Sequence, residues 1–111
     1  MVKEVKKPWG KEKHFVINDK ATVKILIVKP NQVLSLQKHK KRSELWYFLT
    51  EGYAQLGNRK IKVKEGNTVN IKKGQIHRLF SKGKEVRVLE IIKGKYEAKD
   101  IIRLEDKYGR K

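Results

Sequence analysis

Almost nowhere along the 111 residues do apolar side chains recur with a helical period; short alternating or continuous apolar runs recur between turn residues instead, which indicates an all-β domain. About nine candidate strands follow, over residues 11–17, 21–29, 33–39, 44–49, 53–56, 60–64, 68–71, 76–81 and 86–93. Chain-reversing residues fall between them: Asn18 and Asp19, Pro30 and Asn31, Gly57 and Asn58, Gly66 and Asn67, Gly74, and Gly83. Gly57 followed by Asn58 predicts a tight hairpin. Many short strands in so short a chain leave a sandwich or a barrel, and closing the sheet hides its edges. With 38% hydrophobic residues there is material for one modest core, so a single domain over residues 1–111 is expected. The polar closing segment, 96–111, fits a short strand, a turn of helix or a flap.

Composition removes several chemistries. The chain has no cysteine, which excludes disulfides, thiolate metal sites and cysteine nucleophiles, so any metal must sit on nitrogen and oxygen. The first residues, Met1, Val2, Lys3, Glu4, Val5, Lys6, Lys7 and Pro8, hold no apolar run of the signal-peptide kind, and the apolar runs 25–28 and 86–92 are far too short to span a membrane. A soluble, cytoplasmic protein is expected. Twenty-nine Lys and Arg against 12 Asp and Glu give a formal charge of +17, which attracts phosphorylated ligands or nucleic acid. The lysines alternate with apolar residues, as over 60–64, and read as solvated strand faces, while the few aromatics are not interleaved with arginine as a base-stacking platform needs.

Potential ligands concentrate in one place. Gln37 and His39 are two apart, so an extended strand turns both to one side, and Glu44 opens the next strand, where a hairpin brings it opposite them. His77, downstream of Gly74, supplies a fourth donor. Imidazole nitrogen, carboxylate oxygen and amide oxygen together suit a borderline or hard divalent ion. Taken singly, each residue reads as an ordinary hydrogen-bonded or solvated strand residue. Their spacing, with the Gly-x-x-His that follows, favours a metal site.

The run Leu34, Ser35, Leu36, Gln37, His39, Arg42, Glu44, Trp46 resembles the Leu-Ser-Leu-Gln-x-His-x-x-Arg-x-Glu-x-Trp motif of type II phosphomannose isomerases. The likeness extends from Pro8, Trp9 and Gly10 through Gly52, Ala54, Gly74, His77, Arg78 and Leu79 to Asp100, Ile101, Ile102, Arg103, Glu105, Asp106, Lys107, Tyr108, Gly109 and Arg110. The resemblance implies a cupin, a double-stranded β-helix of jelly-roll-like form. It also implies interconversion of mannose 6-phosphate and fructose 6-phosphate on one divalent ion held by Gln37, His39, Glu44 and His77. Zinc is the first expectation, with cobalt, manganese, nickel or iron as alternatives. In that family the domain often follows a nucleotidyltransferase domain, and no Gly-rich nucleotide loop occurs in this chain, so it looks like the isomerase module alone.

By the same resemblance Glu90 is the first candidate for the base that moves the proton between carbons, its alternative being an ion-pair partner for Lys24 or an arginine. Lys24 falls on a family lysine, where a buried ammonium needs an anionic partner or ligand. Arg42, Arg78, Arg103 and Arg110 match positions suited to the substrate phosphate, Arg42 and Arg103 ahead of the others, and Arg42 also serves as a candidate catalytic group. Trp9 and Trp46 are expected as core or pocket wall. The chain departs from the family pattern at Lys40, Lys41 and Leu45, where histidines are common, and at Asn31, Lys72, Ser81, Ile92 and Lys99; asparagine tolerates the left-handed backbone of the glycine that Asn31 replaces. Competing expectations are a non-catalytic cupin that binds a metal and a sugar phosphate, and a basic nucleic-acid-binding barrel. An apolar outer sheet face makes a homodimer the expected assembly.

Overall fold

A computed structural model describes residues 2–111. Eleven strands follow in order among the described residues: β1 Lys3–Lys7, β2 Gly10–His14, β3 Thr22–Val28, β4 Leu36–Lys38, β5 Arg42–Phe48, β6 Gly52–Leu56, β7 Arg59–Val63, β8 Thr68–Ile71, β9 His77–Phe80, β10 Val86–Gly94 and β11 Ile102–Glu105. No helix is among them, so none is long and apolar enough to cross a membrane. Asn31 adopts φ 59, the left-handed backbone anticipated for it. The hairpin at Gly57 and Asn58 is also present, with Leu56 facing Arg59 across the turn.

Eight of the nine expected strands survive with small shifts. The ninth, 33–39, shortens to three residues, with Val33 reduced to an isolated bridge to Phe80. Two strands lie outside the expected set. β1 carries Val5 as its one apolar side chain between lysines, so it offers no alternation to detect, and it pairs only with β2. β11 is the strand option for the closing segment, added to β4 through a bulge near Leu104.

All pairings are antiparallel. Four strands form one sheet in the order β3-β10-β5-β8, and five form the other in the order β11-β4-β9-β6-β7. Alternation decides what each face carries. Along β5, Arg42, Glu44, Trp46 and Phe48 are buried while Ser43, Leu45 and Tyr47 are less so. Along β10 the matching set is Val86, Val88, Glu90 and Ile92, each opposite an inward residue of β5 or β3. Val28, Trp46, Phe48, Ala54, Val63, Val69, Ile71, Leu79, Val86 and Val88 build the core between the sheets. One end of the interior is therefore wholly apolar, and the other receives the polar inward residues of β4, β5, β9 and β10.

Two glycines are fixed by close approach. A Cβ on Gly52 would lie 2.6 Å from Val86 Cγ1 and 2.9 Å from Phe48 Cε2. Both are core side chains without room to retreat, so Gly52→Ala is expected to destabilise the fold by about 1–3 kcal/mol, read as a lower urea midpoint at unchanged slope. Gly94 ends β10 at φ 100, and a Cβ there would stand 2.5 Å from the Lys41 carbonyl oxygen. The chain can turn away over the β4–β5 connection only because that side chain is missing.

Trp9 does not enter the core or line a pocket. It sits at the tip of the β1–β2 hairpin and is 72% exposed, because that hairpin is a two-stranded ribbon with no second sheet packed beneath its tip. Trp46, by contrast, is fully buried at 1% exposure. The outer face of edge strand β3 carries Val23, Ile25 and Ile27, all exposed, the apolar outer surface anticipated from the sequence.

Candidate metal centre

The polar end of the interior is built from four strands and one connection. Glu44 lies on β5 between Ile92 of β10 and Ile71 of β8, so its cross-strand neighbours are apolar and its carboxylate must find partners across the sandwich. His77 opens β9 and faces Gln37 of β4 in register; Gln37 faces Arg103 of β11 in turn. Partners directly opposite share a face, which puts Arg103, Gln37 and His77 on one side of the five-stranded sheet. His39 follows β4 at the same parity as Gln37. Gln37, His39, Arg42, Glu44, His77 and Glu90 are all buried.

His39, Glu44 and His77 converge. One donor atom from each lies within 4.8 Å of the other two. His39 Nε2 stands 3.5 Å from Glu44 Oε2, and His77 Nε2 stands 3.5 Å from Glu44 Oε1. Donors held about 2.1 Å from a shared ion stand roughly 3–3.5 Å apart, so the cluster fits a divalent ion with little contraction. The imidazoles are oriented for it. His39 Nδ1 donates to the Asp100 carbonyl at 2.6 Å and His77 Nδ1 donates to the Gln75 carbonyl at 2.8 Å, which leaves both Nε2 atoms as lone-pair donors facing Glu44.

The donors are also short of other partners. Both Glu44 oxygens and His77 Nε2 are buried without a hydrogen bond. Buried polar atoms are nearly always paired, and three orphans on two neighbouring side chains could share one cation as their partner. Arg42 partly fills the gap. Its Nη2 donates to His39 Nε2 at 3.1 Å, and its Nε lies 3.0 Å from Glu44 Oε2 without hydrogen-bond alignment.

Electrostatics follow from this crowding. Burial alone would raise the Glu44 carboxyl, but His77, His39 and Arg42 outweigh it and hold it below the usual range. Burial lowers His39, with Arg42 and His77 adding to the effect against Asp100 and Glu44. Glu90 behaves in the opposite way: burial, then the nearby Glu44 carboxylate, push it up to about 7 against the Trp46 hydrogen bond and Lys24. Trp46 Nε1 donates to Glu90 Oε2 at 2.9 Å, fixing that carboxylate in the row next to Glu44.

The other expected site residues divide by strand parity. Arg103 shares the face of Gln37, and its Nε is buried with no partner. Arg78 follows His77 directly and pairs with Gln55, so it points to the opposite face; its Nε donates to the Leu34 carbonyl at 2.9 Å and its Nη1 to Glu105 at 3.2 Å. Arg110 is held by Asp106 at 2.7 Å on the closing turn and is not brought to the cluster. Lys24 is opposite Glu90 in register, yet it is half-buried rather than enclosed, and its Nζ donates to Tyr96 Oη at 2.6 Å. The half-buried position lets solvent share the charge that a sealed ammonium would need a carboxylate to balance.

Two contributors to the site lie in the 95–101 connection and have no strand pattern to announce them. Asp100 accepts from the Lys40 and Lys41 amides, each at 3.0 Å, while its carbonyl orients His39. Tyr96 places its ring 5.0 Å from Arg42 Cζ and 4.1 Å from Lys24 Nζ. Glu97 anchors the connection to Lys41 at 3.3 Å and pairs with Lys95 inside it at 3.0 Å.

Comparison with known proteins gives the chain's family and fold. The family described as mannose-6-phosphate isomerase C-terminal matches residues 1–106. Mannose-1-phosphate guanylyltransferase ManC of Salmonella typhimurium is 34% identical over 113 residues, covering 99% of this chain and 24% of that protein. Alginate biosynthesis protein AlgA of Pseudomonas aeruginosa is 36% identical over 111 residues, covering 96% of this chain and 23% of that protein. The chain thus spans only 23–24% of the length of these two relatives. Among solved structures, the capsular polysaccharide assembling protein CapF from Staphylococcus aureus superposes with a TM-score of 0.69 at 17% identity, over 95% of this chain and 34% of that one. A cupin-2 domain protein from Rhodospirillum rubrum gives 0.64 at 15% identity, over 87% of this chain and 71% of that one. At these identities the likeness shows the fold, a cupin double-stranded β-helix.

Proposed function

The chain belongs to the mannose-6-phosphate isomerase C-terminal family, and on that premise we propose that it is a metal-dependent aldose–ketose isomerase acting on mannose 6-phosphate and fructose 6-phosphate. The observation that carries the reading is the buried His39, Glu44 and His77 cluster with its unpartnered donor atoms, set beside a second buried carboxylate, Glu90. The guanylyltransferase activity named in the longer relatives is left to those proteins.

His39, Glu44 and His77 would hold the ion, with Gln37 as the neutral fourth donor from the face it shares with His77. Imidazole and oxygen donors without thiolate suit zinc first among the candidates. When bound, the ion supplies a Lewis acid for the sugar's oxygens, favouring loss of the adjacent C–H proton. Glu90, oriented by Trp46, is the residue that takes this proton from one carbon and returns it to its neighbour. Arg103 offers the substrate phosphate a buried guanidinium donor with no internal partner. Arg42 donates to the lone pair of His39 that an ion would use, so with an ion bound its guanidinium would be free to donate to substrate oxygens.

The test is turnover. Purified protein loaded with zinc, cobalt or manganese is expected to convert mannose 6-phosphate to fructose 6-phosphate, followed by coupled assay of the ketose. A protein of confirmed metal content that turns over with none of the three would show that the site binds without catalysing.

A further inference from the structure

Aldose–ketose interconversion moves two protons: one between neighbouring carbons, and one between the oxygens those carbons bear. A single carboxylate serves the carbons, and a second group must serve the oxygens. We propose that Tyr96 is the proton carrier for the oxygens, with Lys24 holding its hydroxyl in place; the assignment rests on the isomerase reading above.

The geometry comes from residues 72 apart in sequence. Lys24 Nζ donates to Tyr96 Oη at 2.6 Å, so the lone pair of the phenol is engaged and its own hydrogen is free to donate. Lys24 lies opposite Glu90 on neighbouring strands, in the row that carries the candidate carbon base. The face of the Tyr96 ring lies against Arg42, whose guanidinium touches His39 and Glu44. Tyr96 therefore bridges the two halves of the site, the Glu90 row and the ligand cluster. Tyr96 is 38% exposed and lies outside the hydrophobic core. The connection that carries it is fixed by Glu97 to Lys41 and by Asp100 to His39, so Tyr96 and a candidate metal ligand are positioned by one segment.

The step balances. From the aldose, Glu90 takes the proton on C2, the electrons of that C–H bond form the C1–C2 double bond, and the carbonyl π pair moves to O1, which takes the phenol proton. This leaves an enediol, a protonated Glu90 and a Tyr96 phenolate beside the Lys24 ammonium. The phenolate then takes the O2 proton, the O2 electrons form the new carbonyl, and the double-bond pair takes the proton of Glu90 at C1. Both side chains end as they began.

Three charged groups face Tyr96: Lys24 from β3, Arg42 from β5 and Glu90 from β10. The Lys24 hydrogen bond is the largest influence and, with Arg42, holds the phenol below its usual value against burial and Glu90. Aldose turnover needs the phenol protonated, so activity should fall as pH rises through this lowered value. Without the ammonium the fall should move to higher pH.

The experiment compares zinc-loaded wild type, Tyr96→Phe and Lys24→Met, each checked for thermal melting and metal content. Tyr96→Phe is expected to lower kcat by about 10²-fold with metal content and KM unchanged, and to lose the alkaline fall. In deuterated water it should return more label to mannose 6-phosphate for each product formed, because Glu90 still exchanges the carbon proton while the oxygen proton is stranded. Lys24→Met should keep the alkaline fall and shift it upward. Wild-type turnover matched by Tyr96→Phe, or an alkaline fall unmoved in Lys24→Met, would overturn the assignment alone. A wild type that neither turns over nor exchanges label overturns the isomerase reading and this assignment with it.

Discussion

His77→Ala protein is expected to fold as the wild type does and to lose its divalent ion, with affinity reduced by more than about 100-fold. Changing a group that merely orients a ligand costs 10–100-fold in typical sites, and His77 Nε2 is itself a donor. The loss should register in three ways. Elemental analysis of the purified variant should show the metal absent. In the wild type, ion at about 100 times its dissociation constant should stabilise the fold by about 2.7 kcal/mol, which for a domain of this size raises Tm by about 10 °C or more. Chelation should reverse that rise, and the variant should show neither change. Finally, Trp46 meets the His77 ring edge-on with centroids 5.6 Å apart, so metal binding should perturb the fluorescence of this buried indole in the wild type only. Trp9, at the exposed hairpin tip, contributes a constant background. A variant that retains stoichiometric metal would show that the ion, if any, sits elsewhere.

The His39, Glu44 and His77 cluster, with Gln37 on the same face, was legible in the sequence because each member obeys strand alternation. Gln37 and His39 are two apart, Glu44 shares the parity of the buried Trp46 and Phe48, and His77 begins a strand whose next inward residue is Leu79. The same rule separates the arginines. Arg78 is adjacent to His77, and adjacent strand residues cannot share a face, so likeness of position alone suggested a phosphate contact that register does not support. Arg103 was named by the resemblance and not by alternation; its place on the face of Gln37 follows only from the pairing of its strand with β4 through a bulge. Trp9 illustrates the other limit: an aromatic residue is read as core by default, and only the absence of a second layer beneath its hairpin turns it outward. Tyr96 had no signal at all, and Asp100 had only its place in the closing run of the resemblance, with nothing to say what it does. They lie in a connection, and what they do depends on contacts with Lys24, Arg42 and His39 that are 54 to 72 residues away in sequence.

Glu90→Gln is expected to separate chemistry from architecture. The substitution keeps the side chain's volume and keeps an oxygen for the Trp46 indole, which donates to Glu90 at 2.9 Å. It removes one of two carboxylates in neighbouring rows of a buried site, where Glu44 and burial both disfavour the charge on Glu90. Stability should therefore hold or rise slightly, because a buried carboxylate whose charge burial and Glu44 disfavour more than Trp46 and Lys24 favour it is exchanged for a neutral amide that retains its hydrogen bond. Metal content should also hold, since Glu90 is outside the set of converging donors. Turnover of mannose 6-phosphate should fall by about 10²- to 10⁴-fold, the range a positioned base contributes, and exchange of the carbon proton with deuterated solvent should fall with it. That pairing distinguishes Glu90 from Tyr96, whose replacement should leave carbon exchange running while product formation falls by about 10²-fold. Metal-loaded Glu90→Gln protein with wild-type exchange would assign the base to another residue and return Glu90 to the role of ion-pair partner for Lys24, its neighbour across the sheet.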